Sequence, residues 1–125
     1  MTAAHKNQSF ATRLGFAWAG LRLAARSERS LRTQLLVLAG VLIGMCWLRP
    51  AAVWWALVVV ISCAVIAAEL FNTALEHLAD HLHPELHARI RAVKDCAAAA
   101  VLVLAIGALL VAAALGLSLW RSGPR

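Results

Sequence analysis

A row of polar side chains occupies one helical face in the middle of the chain. Glu69, Asn72, Thr73, Glu76 and Asp80 follow one another at spacings that place all five on the same side of an α-helix. Glu69 comes directly after a long apolar run, and ionisable groups inside a membrane span usually serve a function. Such a carboxylate can act as general base toward a hydroxyl group at the interface. The alternative is a solvated face of a helix that leaves the membrane.

The acidic residues nearer to water are suited to a metal ion and to phosphate. Glu76 follows Glu69 by about two helical turns, and carboxylate oxygens are the hard ligands that Mg²⁺ prefers. Lys94 can contact phosphate groups, although a lysine that only extends from an interface toward water has the same pattern. The row therefore predicts a base at membrane depth with a metal and phosphate site beside it.

Other signatures of metal or nucleotide chemistry are weak or absent. Two histidine pairs have the i, i+4 spacing of zinc ligands, His77 with His81 and His83 with His87. A pair without a thiolate supports zinc only weakly. The sequence contains no GxxxxGK[ST], GxGxxG, HRD or DFG signature. Phosphoryl transfer would therefore require a site specific to a membrane enzyme.

The composition of the 125 residues is typical of a membrane protein. Hydrophobic residues make up 62% and charged residues 14%, which is too few for an ordinary soluble surface. This excludes a disordered chain and a disulfide scaffold, and the cysteines at 46, 63 and 96 are interpreted as packing residues. A net charge of +6 would favour nucleic acid in a soluble protein. Here the basic residues are interpreted as orienting the chain in a membrane, and no nucleic-acid partner is expected.

Three apolar runs predict an all-α fold with three transmembrane helices in a single membrane domain, residues 1–125. The Arg49-Pro50 break favours a helical hairpin between the first two spans over a buried core helix. The expected segments are a cytoplasmic or interfacial helix at 1–32, a first span at 33–48, a second span at 51–70 whose helix continues to about residue 80, a cytoplasmic loop at 81–95 and a third span at 96–120.

The distribution of charge predicts the orientation of these spans. Most of the basic residues lie in segments 1–32 and 81–95, which three spans place on the same side. By the positive-inside rule the N-terminus is cytoplasmic and the C-terminus lies outside. All six acidic residues fall on or near the cytoplasmic side, a grouping that the orientation rule does not require.

Two further patterns indicate contacts with lipid and with other helices. An apolar stripe at helical spacing runs through residues 10–25 while the arginines lie off it, which predicts an amphipathic helix in the inner interface. A lipid-binding anchor without a catalytic part would show the same stripe. Gly40 and Gly44 form a GxxxG motif in the first span, and small residues of this kind permit close helix contacts, so oligomerisation is expected.

The motifs around the acidic row resemble those of the prokaryotic diacylglycerol kinase family, which consists of small integral membrane lipid kinases. The sequence that carries the resemblance is Glu69-Leu-Phe-Asn72-Thr73-Ala-Leu-Glu76-His-Leu-Ala-Asp80, followed by His83-Pro84-Glu85 and Val93-Lys94-Asp95. It extends upstream to Trp18-Ala-Gly20-Leu-Arg22 and to residues 27–32, and covers about residues 10–120.

The resemblance implies transfer of the γ-phosphate of ATP to a lipid alcohol, with Mg²⁺, by a homotrimer in the bacterial inner membrane. By motif, Glu69 matches the catalytic base, and Glu28 and Glu76 match the carboxylates that hold the metal. The residues matched to nucleotide binding are Phe16, Glu28, Asn72, Glu76, Asp80, Glu85, Leu86, His87, Lys94 and Asp95. The residues matched to the lipid substrate are Glu69, Arg32, Gln34 and Ala98.

Departures from the family pattern leave two lipid acceptors open. Gln34 stands where the diacylglycerol-specific branch often has Glu, and Val93 stands where the family usually has Ala. The segment 28–34 and His83-Pro84 are closer to the branch that phosphorylates undecaprenol. The expected acceptor is diacylglycerol, with undecaprenol as the alternative. A small membrane channel and a lipid-binding scaffold are more distant alternatives, because a channel does not explain why all the acids lie on one side and a scaffold does not explain Glu69.

Overall fold

The computed structural model describes residues 8–82, 85 and 87–122, and every regular element in these ranges is an α-helix. The helices are α1 (Phe10–Ser27), α2 (Arg29–Leu48), α3 (Ala52–Leu82) and α4 (Ala88–Ser122). α2, α3 and α4 are each long and apolar enough to cross a membrane. The predictions of an all-α fold and of three candidate membrane spans are therefore confirmed.

Helix α1 begins at a serine cap. The hydroxyl of Ser9 accepts a hydrogen bond from the backbone N–H of Thr12 at 3.3 Å, which satisfies one of the donors left free in the first turn. The large apolar side chains of the helix, Phe10, Leu14 and Trp18 among them, are exposed in the single chain. The guanidinium of Arg22 lies 6.0 Å from the Trp18 ring centroid.

A single extended residue separates α1 from α2. Glu28 has φ −99° and ψ 116°, and its N–H donates to the carbonyl of Ala24 at 2.8 Å. Arg32 crosses back over the joint, and its Nη1 donates to the carbonyls of Ala25 (3.2 Å) and Arg26 (2.8 Å). A guanidinium is well placed at the C-terminus of a helix, where unpaired carbonyls collect. Residues 29–32, which were expected in the interfacial segment, form the first turn of α2, because the break falls at Glu28.

The hairpin between α2 and α3 turns at a left-handed residue. Arg49 has φ 47° and ψ 55°, and its N–H donates to the carbonyl of Met45 at 2.8 Å, which caps α2. Pro50 follows and cannot continue the helix. α3 starts at Ala52, and the N–H of Trp54 donates to the carbonyl of Ala51 at 2.9 Å in its first turn.

Helices α3 and α4 are the longest elements and form the most extensive helix pair. α3 runs unbroken through the acidic row to Leu82. α4 starts at Ala88, so residues 88–95, expected in the loop 81–95, form its first two turns. The helical run is continuous there because these residues include no Gly or Pro.

The three long helices meet in one small apolar cluster near the hairpin. Its buried members are Met45 of α2, Val58 of α3 and Leu115 of α4. Trp54 and Trp55 pack against this cluster. In the described part of the chain no other helix lies within 4 Å of the position that a Cβ of Gly40 or Gly44 would occupy, so this GxxxG motif has room for a close helix contact.

Because the backbone at Arg49 is left-handed, the stability of the protein should depend on which uncharged residue replaces this arginine. Asn tolerates positive φ whereas a β-branched residue does not, so Arg49→Val should be less stable than Arg49→Asn by about 1 kcal/mol. Both variants remove the same charge, so each is the control for the other. The measurement is unfolding in mixed detergent micelles, and equal midpoints for the two variants would contradict the strain.

Candidate functional site

The Glu69 carboxylate is buried and is bonded by two side chains of α2. Its exposed fraction is 4%. Gln34 Nε2 donates to Oε1 at 2.6 Å, and the Ser30 hydroxyl donates to Oε2 at 3.2 Å. Ser30 and Gln34 are four residues apart on α2, so the helix places both donors on one face, opposite Glu69.

This arrangement suits a carboxylate that receives a proton. Donors to both oxygens fix the orientation of the carboxylate. Each carboxylate oxygen keeps a further lone pair, so Glu69 can still accept a proton from a hydroxyl group that comes within reach. The geometry provides an oriented carboxylate on a helix that is long and apolar enough to cross a membrane.

An apolar cavity of about 500 Å³ lies between α2 and the α3–α4 pair, and Gln34, which bonds the Glu69 carboxylate, is part of its wall. Gln34 and Thr33 line the cavity, and the Thr33 hydroxyl donates to the carbonyl of Arg29 in its own helix. Most of the remaining lining is aliphatic, as in Val58, Val65 and Leu115. Such a lining is suited to a hydrocarbon chain.

A second group of polar residues lies further along α3. Asn72 Nδ2 donates to the Glu76 carboxylate at 3.0 Å, one turn apart on the same helix. The Lys94 ammonium of α4 pairs with the carboxylate of Asp80. This ion pair links the C-terminal part of α3 to the N-terminal part of α4. Asp95 faces Arg91 at 3.9 Å in an exposed i, i+4 pair.

The chain thus divides the predicted site into two groups. Among the described residues no hydrogen bond or ion pair joins the Glu69 group to the Asn72–Glu76 pair. The row of five residues spans a wide arc of the α3 surface, so its members face different neighbours. Glu69 contacts α2, whereas Asn72 lines a small groove shared with Ala97 and Ala100 of α4.

The remaining predicted residues occupy separate places. Glu28 is half-buried at the α1–α2 joint, and its carboxylate caps neither helix. Phe16 is 49% exposed on α1, and Ala98 is exposed on α4 and lines neither cavity. Arg32 holds the carbonyls at the end of α1.

The residues predicted to form a nucleotide-contacting loop are described only in part. Glu85 is exposed, and His87 Nδ1 accepts a hydrogen bond from the backbone N–H of Arg89 at 3.2 Å, at the start of α4. Leu86 lies outside the described residues, as do His83 and Pro84.

The side chains available for Mg²⁺ fit its chemistry as a partial set. Glu28 and Glu76 offer hard carboxylate oxygens, and Oδ1 of Asn72 is buried without a hydrogen-bond partner in the described part of the chain. No three His, Cys, Asp or Glu of the described residues lie close enough together to hold a metal ion. Mg²⁺ commonly takes one or two carboxylates and completes its shell with substrate phosphates and water, so a partial set is compatible with it.

The histidine pairs gain no support as zinc ligands. His77 and His81 are both exposed on α3, and within the described ranges neither belongs to a group that could hold a metal ion. His83, the partner predicted for His87, lies outside those ranges.

Two residues near Glu69 were not among the predicted site residues. Ser30 bonds the carboxylate directly, and its i, i+4 spacing from Gln34 was the available signal. Thr73 is 5% exposed, one turn beyond Glu69, and its hydroxyl has no partner among the described residues. Its place in the polar row was visible in the sequence, but its burial was not.

Comparison of the sequence with known proteins assigns this chain to a family. Residues 15–115 match the family described as prokaryotic diacylglycerol kinase. A diacylglycerol kinase of Synechocystis sp. is 36% identical over 97 residues, which are 77% of this chain and 55% of that protein, so the match spans about half of the relative's length.

Two further relatives match over most of both chains. A diacylglycerol kinase of Escherichia coli K12 is 34% identical over 97 residues, 77% of this chain and 79% of the relative. An undecaprenol kinase of Bacillus subtilis is 31% identical over 87 residues, 70% of this chain and 71% of the relative. With a match across most of its length and with its three apolar helices, this chain belongs to the prokaryotic diacylglycerol kinase family of membrane lipid kinases.

Proposed function

We propose that this protein phosphorylates diacylglycerol to phosphatidic acid with ATP and Mg²⁺ at the cytoplasmic face of the bacterial inner membrane. The observation that carries the proposal is the buried Glu69 carboxylate, oriented by Ser30 and by Gln34, a residue that also lines an apolar cavity. A lipid alcohol that places its hydrocarbon chain in the cavity brings its hydroxyl group toward this carboxylate. Family membership supports the same reaction class.

In the proposed reaction Glu69 accepts the proton of the lipid hydroxyl. The hydroxyl oxygen then forms a bond to the γ-phosphorus of ATP, the bond from that phosphorus to the β–γ bridging oxygen breaks, and ADP leaves with the electron pair. The proton stays on Glu69 until water removes it. Most of the rate in such transfers comes from positioning and from stabilisation of charge, which the fixed carboxylate and the cavity would provide.

The nucleotide is proposed to lie on the aqueous side of Glu69. Glu28 and Glu76 would hold Mg²⁺, which neutralises charge on the phosphates when bound. Lys94, paired with Asp80 in this structure, would exchange that contact for phosphate oxygens. The other proposed nucleotide contacts are Phe16, Asn72, Asp80, Glu85, Leu86, His87 and Asp95.

Undecaprenol is the second proposed acceptor, and one observation favours it. A relative named undecaprenol kinase matches 70% of this chain. A polyisoprenoid alcohol also suits a lining in which Thr33, Gln34 and Ser62 are the polar residues, since it needs hydrogen bonds only at its hydroxyl end. A channel or scaffold has no comparable support, because neither requires an oriented carboxylate near an apolar cavity.

A homotrimer with the N-terminus in the cytoplasm is proposed as the working form. The division of the polar residues into two groups supports an oligomer, since a neighbouring subunit can bring the Glu69 group of one chain against the Asn72–Glu76 pair of another. Gly40 and Gly44 leave room for a close helix contact. The positive charge of segments 1–32 and 81–95 supports the orientation.

The base role predicts the behaviour of Glu69→Gln. This change keeps the volume and removes the proton acceptor, so lipid phosphorylation should fall by at least about a hundredfold. The assay uses purified protein with labelled ATP, Mg²⁺, and either diacylglycerol or undecaprenol, which also identifies the preferred acceptor. Oligomer size and ATP binding are measured on the same samples and should be unchanged. Turnover near that of the unmodified protein would remove Glu69 from this role.

The metal role predicts a shared defect in Glu28→Gln and Glu76→Gln. Each variant loses a hard oxygen ligand, so the Mg²⁺ concentration for half-maximal activity should rise several-fold. Asp80→Asn is the matched control, because it alters a proposed nucleotide contact without removing a proposed metal ligand. It should raise the KM for ATP and leave the Mg²⁺ dependence alone. An unaltered Mg²⁺ dependence in both glutamate variants would refute the assignment.

A site shared between subunits predicts rescue between inactive chains. Glu69→Gln chains and Glu76→Gln chains should regain activity when they are co-assembled in detergent, since some interfaces then combine two intact groups. A mixture of each variant with itself is the control. Absence of rescue, with mixing of subunits demonstrated by differential tags, would mean that each site is built within one chain.

A further inference from the structure

Gln34 bonds the proposed base directly, in addition to lining the cavity proposed for the lipid. Its Nε2 lies 2.6 Å from Oε1 of Glu69, which is a short, charge-assisted hydrogen bond. Its Oε1 is buried and has no hydrogen-bond partner in the described part of the chain. The side chain also lines the apolar cavity, so it separates the carboxylate from the hydrocarbon-lined space.

We propose that Gln34 is a positioning residue for the base, and this rests on the proposed role of Glu69. The amide holds the carboxylate in a fixed orientation before the proton is transferred. A neutral amide can do so without adding charge, whereas a carboxylate at the same position would repel Glu69 or share a proton with it. Ser30 assists from the other oxygen through a longer bond.

The unpaired oxygen of Gln34 gives the amide a second use after proton transfer. When the proton of Glu69 lies on Oε1, that oxygen becomes a hydrogen-bond donor, and Gln34 Nε2, itself a donor, faces the new O–H group. A half-turn of the amide about its terminal bond places Oε1 where Nε2 was, so that Oε1 accepts from the new carboxyl O–H. The proton remains on Glu69 throughout, and both protonation states of the base have a partner.

The position of this bond in the fold strengthens its effect on the base. Within the described residues, the contacts of Gln34 and Ser30 with Glu69 are the only side-chain hydrogen bonds between α2 and α3. The other junction of these helices is the apolar cluster around Met45 and Val58 near the hairpin, at the far end of the cavity. Removing the amide therefore frees the carboxylate to rotate toward the cavity or toward water.

Three variants test the proposal through kcat and the KM for the lipid. Gln34→Met keeps the volume and loses the donor, so kcat should fall by about tenfold to a hundredfold while KM changes little. Gln34→Asn keeps an amide on a shorter stem and should retain more activity than Gln34→Met. Leu36→Met is the control on α2, because this side chain is exposed and lines neither cavity, and its kcat should be unchanged.

The order of the variants separates positioning from packing. A residue that only fills space would be replaced better by Met than by Asn, so higher kcat in Gln34→Met would overturn the proposal. A rise in lipid KM at constant kcat would also overturn it, since that result means uniform substrate binding.

Infrared difference spectra provide a test that does not depend on any lipid being phosphorylated. The Glu69→Gln variant identifies the carboxylate stretch of Glu69 in the resting protein. That band should shift in Gln34→Met and stay in place in Leu36→Met. An unmoved band would refute the hydrogen bond, whatever the protein phosphorylates. A shifted band without loss of kcat would leave the contact in place and refute its role in turnover.

Discussion

A carboxylate next to a membrane-spanning stretch has to be hydrogen-bonded, and α2 supplies the partners of Glu69. Gln34 and Ser30 together occupy both of its oxygens. An unpaired charge at 4% exposure would be strongly unfavourable, so these bonds fix the register of α2 against α3. The same register places Gln34 both against the carboxylate and in the wall of the cavity.

The two ends of α2 are held by unlike interactions. Near the hairpin, apolar packing around Met45, Val58 and Leu115 joins all three long helices. In the N-terminal half of α2, side-chain hydrogen bonds to Glu69 join α2 to α3. The cavity occupies the space between these hydrogen bonds and the apolar cluster. In a bilayer, apolar packing between helices gains little over packing against lipid. The polar junction therefore contributes most to the specificity of the helix arrangement.

The sequence was sufficient for the helices and insufficient for their contacts. Hydropathy located the three spans, and the 3.6-residue period assigned Glu69 to Asp80 to one helix, because both signals are local. The break at Glu28 and the early start of α4 at Ala88 depend on caps and on continuous helix propensity, which hydropathy does not report. The partners of Glu69 lie 35 and 39 residues away, so only the packing of α2 on α3 identifies them.

The unbroken course of α3 has a mechanical consequence. At 1.5 Å per residue, Glu69 and Glu76 are about 10 Å apart along the axis, and no break between Ala52 and Leu82 lets that distance change. Within one chain the helix therefore holds the Glu69 group and the Asn72–Glu76 pair at a constant separation along its axis. If a site combines the two groups from neighbouring chains, a change in the distance between them requires movement of whole helices relative to one another.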